Sequence, residues 1–137
     1  FEYCTTSKKN VFRGFHFQTK FKQSKFVNVL KGKILDVVID LRKNSRTFGK
    51  AFKIILSKSN ALGLYIPAGF AHAYYSFEKE NIIYYKLDNY YNPKYESGII
   101  YNDNTLKIKW PIDKMIISKK DKKLITILKF KKKFGSL

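Results

Sequence analysis

The chain has 137 residues, 45% of them hydrophobic and 17% aromatic, which is enough for one domain with a real core and too apolar for a disordered chain. No apolar run has the length of a membrane-spanning helix, and no basic start followed by an apolar stretch marks a secretory leader. The net charge of +18 is almost all lysine, with Arg13, Arg42 and Arg46 the only arginines, so it reads as a solvated face rather than a base-reading surface.

Short runs separated by turn residues follow along the chain. Val11 to Gln18 reads as a strand. Lys25 to Leu30 and Lys33 to Leu41 read as two more, joined at Lys31-Gly32 as a tight hairpin. In the latter, Leu35, Val37, Ile39 and Leu41 fall on one face and Ile34, Asp36, Val38 and Asp40 on the other. Phe48 to Leu56, Leu62 to Ile66, His72 to Phe77 and Ile82 to Leu87 continue the series. This spacing predicts an all-β sandwich or barrel. Asn89 to Ser97 reads as a loop, Ser118 to Asp121 as a short helical turn, and Lys129 to Phe134 as a solvated basic tail.

Histidine is scarce: His16, in Arg13-Gly14-Phe15-His16-Phe17-Gln18, and His72, in Pro67-Ala68-Gly69-Phe70-Ala71-His72, are the only two. The second string matches part of a cupin signature, a Pro-x-Gly turn followed by a histidine that points into a small barrel. Metal-binding cupins carry a second histidine where this chain has Gln18, and a metal needs three or four satisfied ligands, so no metal is expected. Two histidines at a barrel mouth suit acid–base work, because imidazole titrates near neutrality. Lys25 alternates with Val27 and Val29, and a lysine on an apolar face needs a partner or a site. Strict alternation puts Arg13 and His16 on opposite faces of their strand, and Gly14 is where a bulge would bring them together.

Arg13 to Gln18, Gln23-Ser24-Lys25, Gly32 to Arg42, Ser45 to Gly49, Ile66 to His72, Tyr85-Lys86 to Tyr90-Tyr91, Asn102-Asp103, Trp110-Pro111 and Ser118 to Asp121, in that order, resemble the dTDP-4-dehydrorhamnose 3,5-epimerase family. The resemblance implies an all-β, cupin-like antiparallel β-barrel (jelly roll) with short C-terminal helical segments. It also implies a homodimer that needs no cofactor and acts on a dTDP-linked nucleotide sugar; the single cysteine, Cys4, points to a reducing, cytoplasmic setting, and the composition to no nucleic-acid or membrane partner. It makes residues 1–137 a single cupin-like domain that lacks the family's N-terminal segment. By position, the resemblance makes His16 the general base, Asp121 its carboxylate partner, Tyr85 the proton donor on the opposite face and Lys25 the cation near the keto oxygen. Arg13, His72, Glu96 and Lys120 fall at substrate-binding positions, and Tyr91 at the aromatic that stacks on the thymine.

The chemistry asks for these residue types. Removing a proton alpha to a ketone creates an enolate, and inversion needs a base on one face and an acid on the other. A cation stabilises the charge developing on oxygen. The implied reaction is epimerisation at carbons 3 and 5 of dTDP-4-dehydro-6-deoxy-D-glucose, on the way to dTDP-L-rhamnose and surface polysaccharide. Open beside it stand a single-carbon epimerase, an inactive sugar-nucleotide-binding fragment, a metal-dependent cupin and a basic nucleic-acid-binding barrel.

Overall fold

In the computed structural model, which describes residues 1–137, the strands are β1 (Glu2–Ser7), β2 (Val11–Gln18), β3 (Lys25–Lys31), β4 (Lys33–Asp40), β5 (Ala51–Ser57), β6 (Gly63–Ile66), β7 (Phe70–Ser76), β8 (Asn81–Leu87), β9 (Glu96–Gly98) and β10 (Ile116–Ile117). A single α-helix, α1 (Ile127–Phe134), follows a 3₁₀ turn at Asp121–Lys123. One sheet has the order β1-β8-β3-β6; the other has β10-β2-β7-β4-β5, with β9 added against β2. All pairings are antiparallel except β10 with β2. The sheets face each other as a jelly-roll-like sandwich, and no strand pairing closes them into a barrel. No helix is long and apolar enough to cross a membrane.

The predicted strands all form, and the alternation in β4 explains the layering. Ile34 and Val38 enter the apolar layer between the sheets with Val27, Leu56, Ile83 and Tyr85. Val37, Ile39 and Leu41 enter a second layer on the other side, with Phe12, Phe15, Ile99, Ile127 and Phe130. The second sheet is thus buried on both faces, and each fully buried side chain of this size contributes about 2 kcal/mol.

Three expectations fail. Glu96 and Ser97, read as the end of a loop, lie in β9 against β2. Lys31-Gly32 is not a hairpin: β3 pairs with β6 and β8, and β4 with β5 and β7, so the chain crosses from one sheet to the other at Gly32. Gly32 has φ +83, and a Cβ there would stand 2.5 Å from Asn81 Oδ1, so glycine suits the crossing on both counts. The tail is not solvated. Ile127, Phe130 and Phe134 line one side of α1, and Phe130 is fully buried, edge-on to Phe17 at 5.3 Å between centroids. Thr126 caps the helix by accepting from Lys129 N, and Asp103 accepts from Ile127 N at 2.7 Å. The lysines between these apolar positions stay in water.

The loop after β4 is tied by Asp40. Its carboxylate accepts from Arg42 N, Nε and Nη2 at 2.9–3.0 Å and from the hydroxyls of Ser45 and Thr47 at 2.5 and 2.6 Å. Burial raises its pKa, but these bonds outweigh burial and hold the carboxyl well below its ordinary value. A depressed carboxyl stabilises the fold above its unfolded pKa of about 4, and that contribution is lost as pH falls below it. Asp40→Asn is expected to cost about 2 kcal/mol at neutral pH and to weaken the acid dependence below about pH 4, read from urea unfolding across pH.

Candidate active site

The two sheets diverge at one end around a cavity of about 400 Å³, lined by Phe1, Tyr3 and Leu87 with Lys25, by His16 and Gln18 of β2, and by Gln23, Tyr91 and Glu96. Row pairing explains the wall: Tyr3 lies opposite Tyr85, and Lys25 opposite Leu87. Directly opposed residues share a face, so these side chains point to the interior.

The register of β2 shifts between Arg13 and His16. Arg13 pairs with Tyr74 and His16 with His72, two residues apart on β7 although the partners are three apart on β2. The bulge therefore puts Arg13 and His16 on one face, as Gly14 led us to expect. Gly14 has φ +121 and lies against β7, where a Cβ would meet His72 O at 2.5 Å and Ala73 Cβ at 2.6 Å.

His16 and Asp121, 105 residues apart in the chain, meet with Nε2 at 2.7 Å from Oδ1. Asp121 Oδ2 accepts the Gly14 N–H at 3.1 Å, and Ser118 Oγ accepts the Asp121 N–H at 3.1 Å. The parallel pairing of β10 with β2 delivers this segment to the site. An ionised carboxylate only accepts, so Nε2 carries the proton and Nδ1 keeps the free lone pair. The His16 side chain is 30% exposed and Asp121 4%. Burial raises the Asp121 pKa, but the His16 bond and the Gly14 amide win, and the carboxyl lies below its usual value.

Lys25 is half-buried on the cavity wall and forms no ion pair. Desolvation lowers its pKa, against the opposing pull of Asp36 and Glu96. Glu96 Oε2 receives both Lys120 Nζ and Tyr91 Oη, the latter at 2.8 Å, so these three sequence-predicted residues form one chain at the rim. Burial raises Glu96, but the Lys120 and Tyr91 bonds outweigh it and its pKa is lowered.

Other predicted residues sit outside the lining. His72 is buried, with Nε2 2.9 Å from both oxygens of Asp36, and its ring is edge-on to Tyr85 at 6.2 Å. Tyr85 is 5% exposed, and burial, then Tyr74, Asp36 and Tyr3, push its phenol well above its ordinary pKa. Arg13 is exposed and takes part in no ion pair.

Sequence reasoning assigned no role of their own to Gln23 and Asp36. Gln18, at the position of a metal cupin's second histidine, has its amide fully engaged: it donates to Phe21 O and Tyr90 O and accepts from Asn92 N at 2.6 Å. Gln23 donates to Asn89 O at 2.9 Å. Both amides brace the loop that carries Tyr91, a role visible only once the strands are paired. No three of the His, Cys, Asp or Glu side chains converge as metal ligands would.

A jelly-roll-like sandwich with a carboxylate-held histidine on its cavity wall is a cupin-type fold that carries groups suited to acid–base chemistry. The family model described as dTDP-4-dehydrorhamnose 3,5-epimerase matches residues 2–129. A dTDP-4-dehydrorhamnose 3,5-epimerase of Methanothermobacter thermautotrophicus is 44% identical over 119 residues, covering 85% of this chain and 64% of that protein. The crystal structure of dTDP-4-dehydrorhamnose 3,5-epimerase from Elizabethkingia anophelis matches with a TM-score of 0.90 and 39% identity, over 93% of this chain and 72% of that one. The Legionella pneumophila dTDP-6-deoxy-D-glucose-3,5-epimerase, solved in complex with dTDP-4-keto-L-rhamnose, matches with a TM-score of 0.89 and 38% identity, over 93% of this chain and 68% of that one. The chain belongs to the dTDP-4-dehydrorhamnose 3,5-epimerase family. It spans just under two thirds of the length of the Methanothermobacter and Escherichia coli relatives, 64% and 66%.

Gly14→Ala is expected to destabilise the chain by about 3 kcal/mol or more, because both the positive φ and the contact with β7 are violated. The measurement is the urea midpoint beside that of Gly135→Ala. Gly135 also has positive φ, but nothing lies within 4 Å of an added Cβ there, so the difference reports the clash.

Proposed function

We propose that this chain epimerises carbons 3 and 5 of dTDP-4-dehydro-6-deoxy-D-glucose to give dTDP-4-dehydro-L-rhamnose, a step in dTDP-L-rhamnose and surface polysaccharide synthesis. The observation that carries the reading is the His16–Asp121 hydrogen bond at the wall of a sugar-sized cavity. His16 Nδ1 takes the proton alpha to the 4-keto group, and Asp121 stabilises the imidazolium that forms. Negative charge passes to the keto oxygen. The Lys25 ammonium, desolvated and without a partner carboxylate, stabilises it there. Tyr85 gives a proton to the opposite face and inverts the carbon, and the phenolate regains its proton from solvent. The same cycle at the second carbon completes the reaction. The scheme uses only acid–base groups of the chain.

In this reading the Glu96–Lys120–Tyr91 chain grips the nucleotide end, with Tyr91, half exposed, offering its ring to the base. Arg13, on the His16 face and without an ion-pair partner, is available to a diphosphate oxygen. His72, held by Asp36, does not reach the cavity and acts on the sugar only through the Tyr85 ring it packs against. Residues 1–137 act as one cupin-like unit, working in the cytoplasm as a homodimer. The exposed Phe52 and Tyr65 on the edge strands β5 and β6 support self-association.

In D₂O the parent chain is expected to incorporate deuterium at both carbons flanking the ketone, followed by NMR. His16→Ala abolishes incorporation at both, and its retention would remove the mechanism. Lys25→Ala lowers turnover about 100-fold, as loss of an oxyanion donor does, with a smaller change in KM. Light scattering is expected to give twice the 16.1 kDa chain mass.

A further inference from the structure

We infer that Tyr3 is a specificity-determining residue that covers the Tyr85 phenol and makes inversion slower than proton removal. The inference rests on the epimerase reading above and deepens it at one face of the cavity. Tyr3 and Tyr85 are direct cross-strand partners on β1 and β8, so their side chains lie on the same inner face. Their rings stack at 4.8 Å between centroids and 14° between planes. Tyr3 lines the cavity and is 40% exposed, whereas Tyr85 is 5% exposed and does not line it. The Tyr3 ring is therefore the cavity-side member of the stacked pair.

The cover is braced from outside. Phe1 stacks on Tyr3 at 5.9 Å, and Tyr90 stacks on Phe1 at 5.5 Å, so an aromatic row runs from Tyr85 out to the loop that carries Tyr91. The next inward position on β1 is Thr5. Its Oγ1 is buried, next to the Tyr85 phenol. A stacked aromatic pair favours the closed arrangement by about threefold to tenfold.

The consequence falls on one step only. His16 can remove a proton, exchange it with solvent and return it to the same face, which labels the carbon without inverting it. Inversion requires Tyr85 on the other face, and that waits for Tyr3 to move. The ratio of label gained with retention to label gained with inversion thus reads the cover directly. A purely structural role for Tyr3 would leave this ratio alone.

The experiment incubates the parent chain, Tyr3→Gln and Tyr3→Phe with dTDP-4-dehydro-6-deoxy-D-glucose in D₂O and follows label and configuration at each carbon by NMR. The parent is expected to show more exchange than inversion. Tyr3→Gln, which removes the ring, should lower the ratio about threefold to tenfold, and Tyr3→Phe, which keeps it, should hold the parent ratio. Tyr3→Thr, a small strand former, repeats the ring removal should the glutamine variant fold poorly. An unchanged ratio in both ring-removing variants, or a shift in Tyr3→Phe equal to theirs, overturns the inference. Exchange with an unchanged ratio removes this inference alone; no exchange in the parent removes the epimerase reading and this with it.

Discussion

Asp121 holds two things at once: one oxygen takes the Gly14 amide at the β2 bulge, and the other takes the His16 imidazole. The first bond fixes the backbone where the strand loses its regular register, and the second fixes the tautomer of the only half-exposed histidine. A buried carboxylate is costly unless its oxygens are engaged, and here both are. The site and the bulge are therefore one structural unit. What disturbs the bulge also moves the imidazole.

That unit depends in turn on the C-terminal third of the chain. Asp121 reaches β2 because β10 pairs beside it and because Ile99, Ile127 and Phe130 cover the outer face of the second sheet. The helix that carries Phe130 is capped through Asp103 and Thr126. Apolar burial on one side of the sheet thus positions a carboxylate at the cavity on the other. Function and stability share these residues, and core substitutions in α1 should be felt at His16 before the fold fails.

Much of the fold was legible because strands of this length announce themselves by alternation, and β4 even declared two buried faces. The failures have local causes. Lys31-Gly32 looks like a hairpin because a sheet-to-sheet crossing and a hairpin demand the same positive φ of glycine. β1 escaped notice because most of its residues are exposed and show no apolar alternation. α1 was read as tail because lysines fill the positions between Ile127, Phe130 and Phe134, and a lysine-rich helix with a narrow apolar stripe resembles a charge run. At the site, the scarcity of histidine pointed to His16. Nothing local distinguishes Asp121 inside Ser-Lys-Lys-Asp-Lys, since its partner lies 105 residues away. Asp36 and Gln18 needed the pairing of strands before their partners existed.

The excess positive charge has a narrower part in this picture than its size implies. At physiological ionic strength, charges more than about 8 Å from a ligand are largely screened, so the scattered surface lysines act on encounter rather than on binding. Near the cavity the balance differs. Glu96 neutralises Lys120 locally, Arg13 has no ion-pair partner, and Lys25 is desolvated and unpaired. Lysines in the open lose most of their effect to salt, whereas an ammonium on a half-dry wall keeps it. A surface field therefore acts on the encounter with an anion, and only the few cations near the cavity can act on a group bound inside it. Removing surface lysines on α1 would weaken the attraction of an anion at low salt and leave the charge at the cavity wall as it is, which separates the two uses of one residue type.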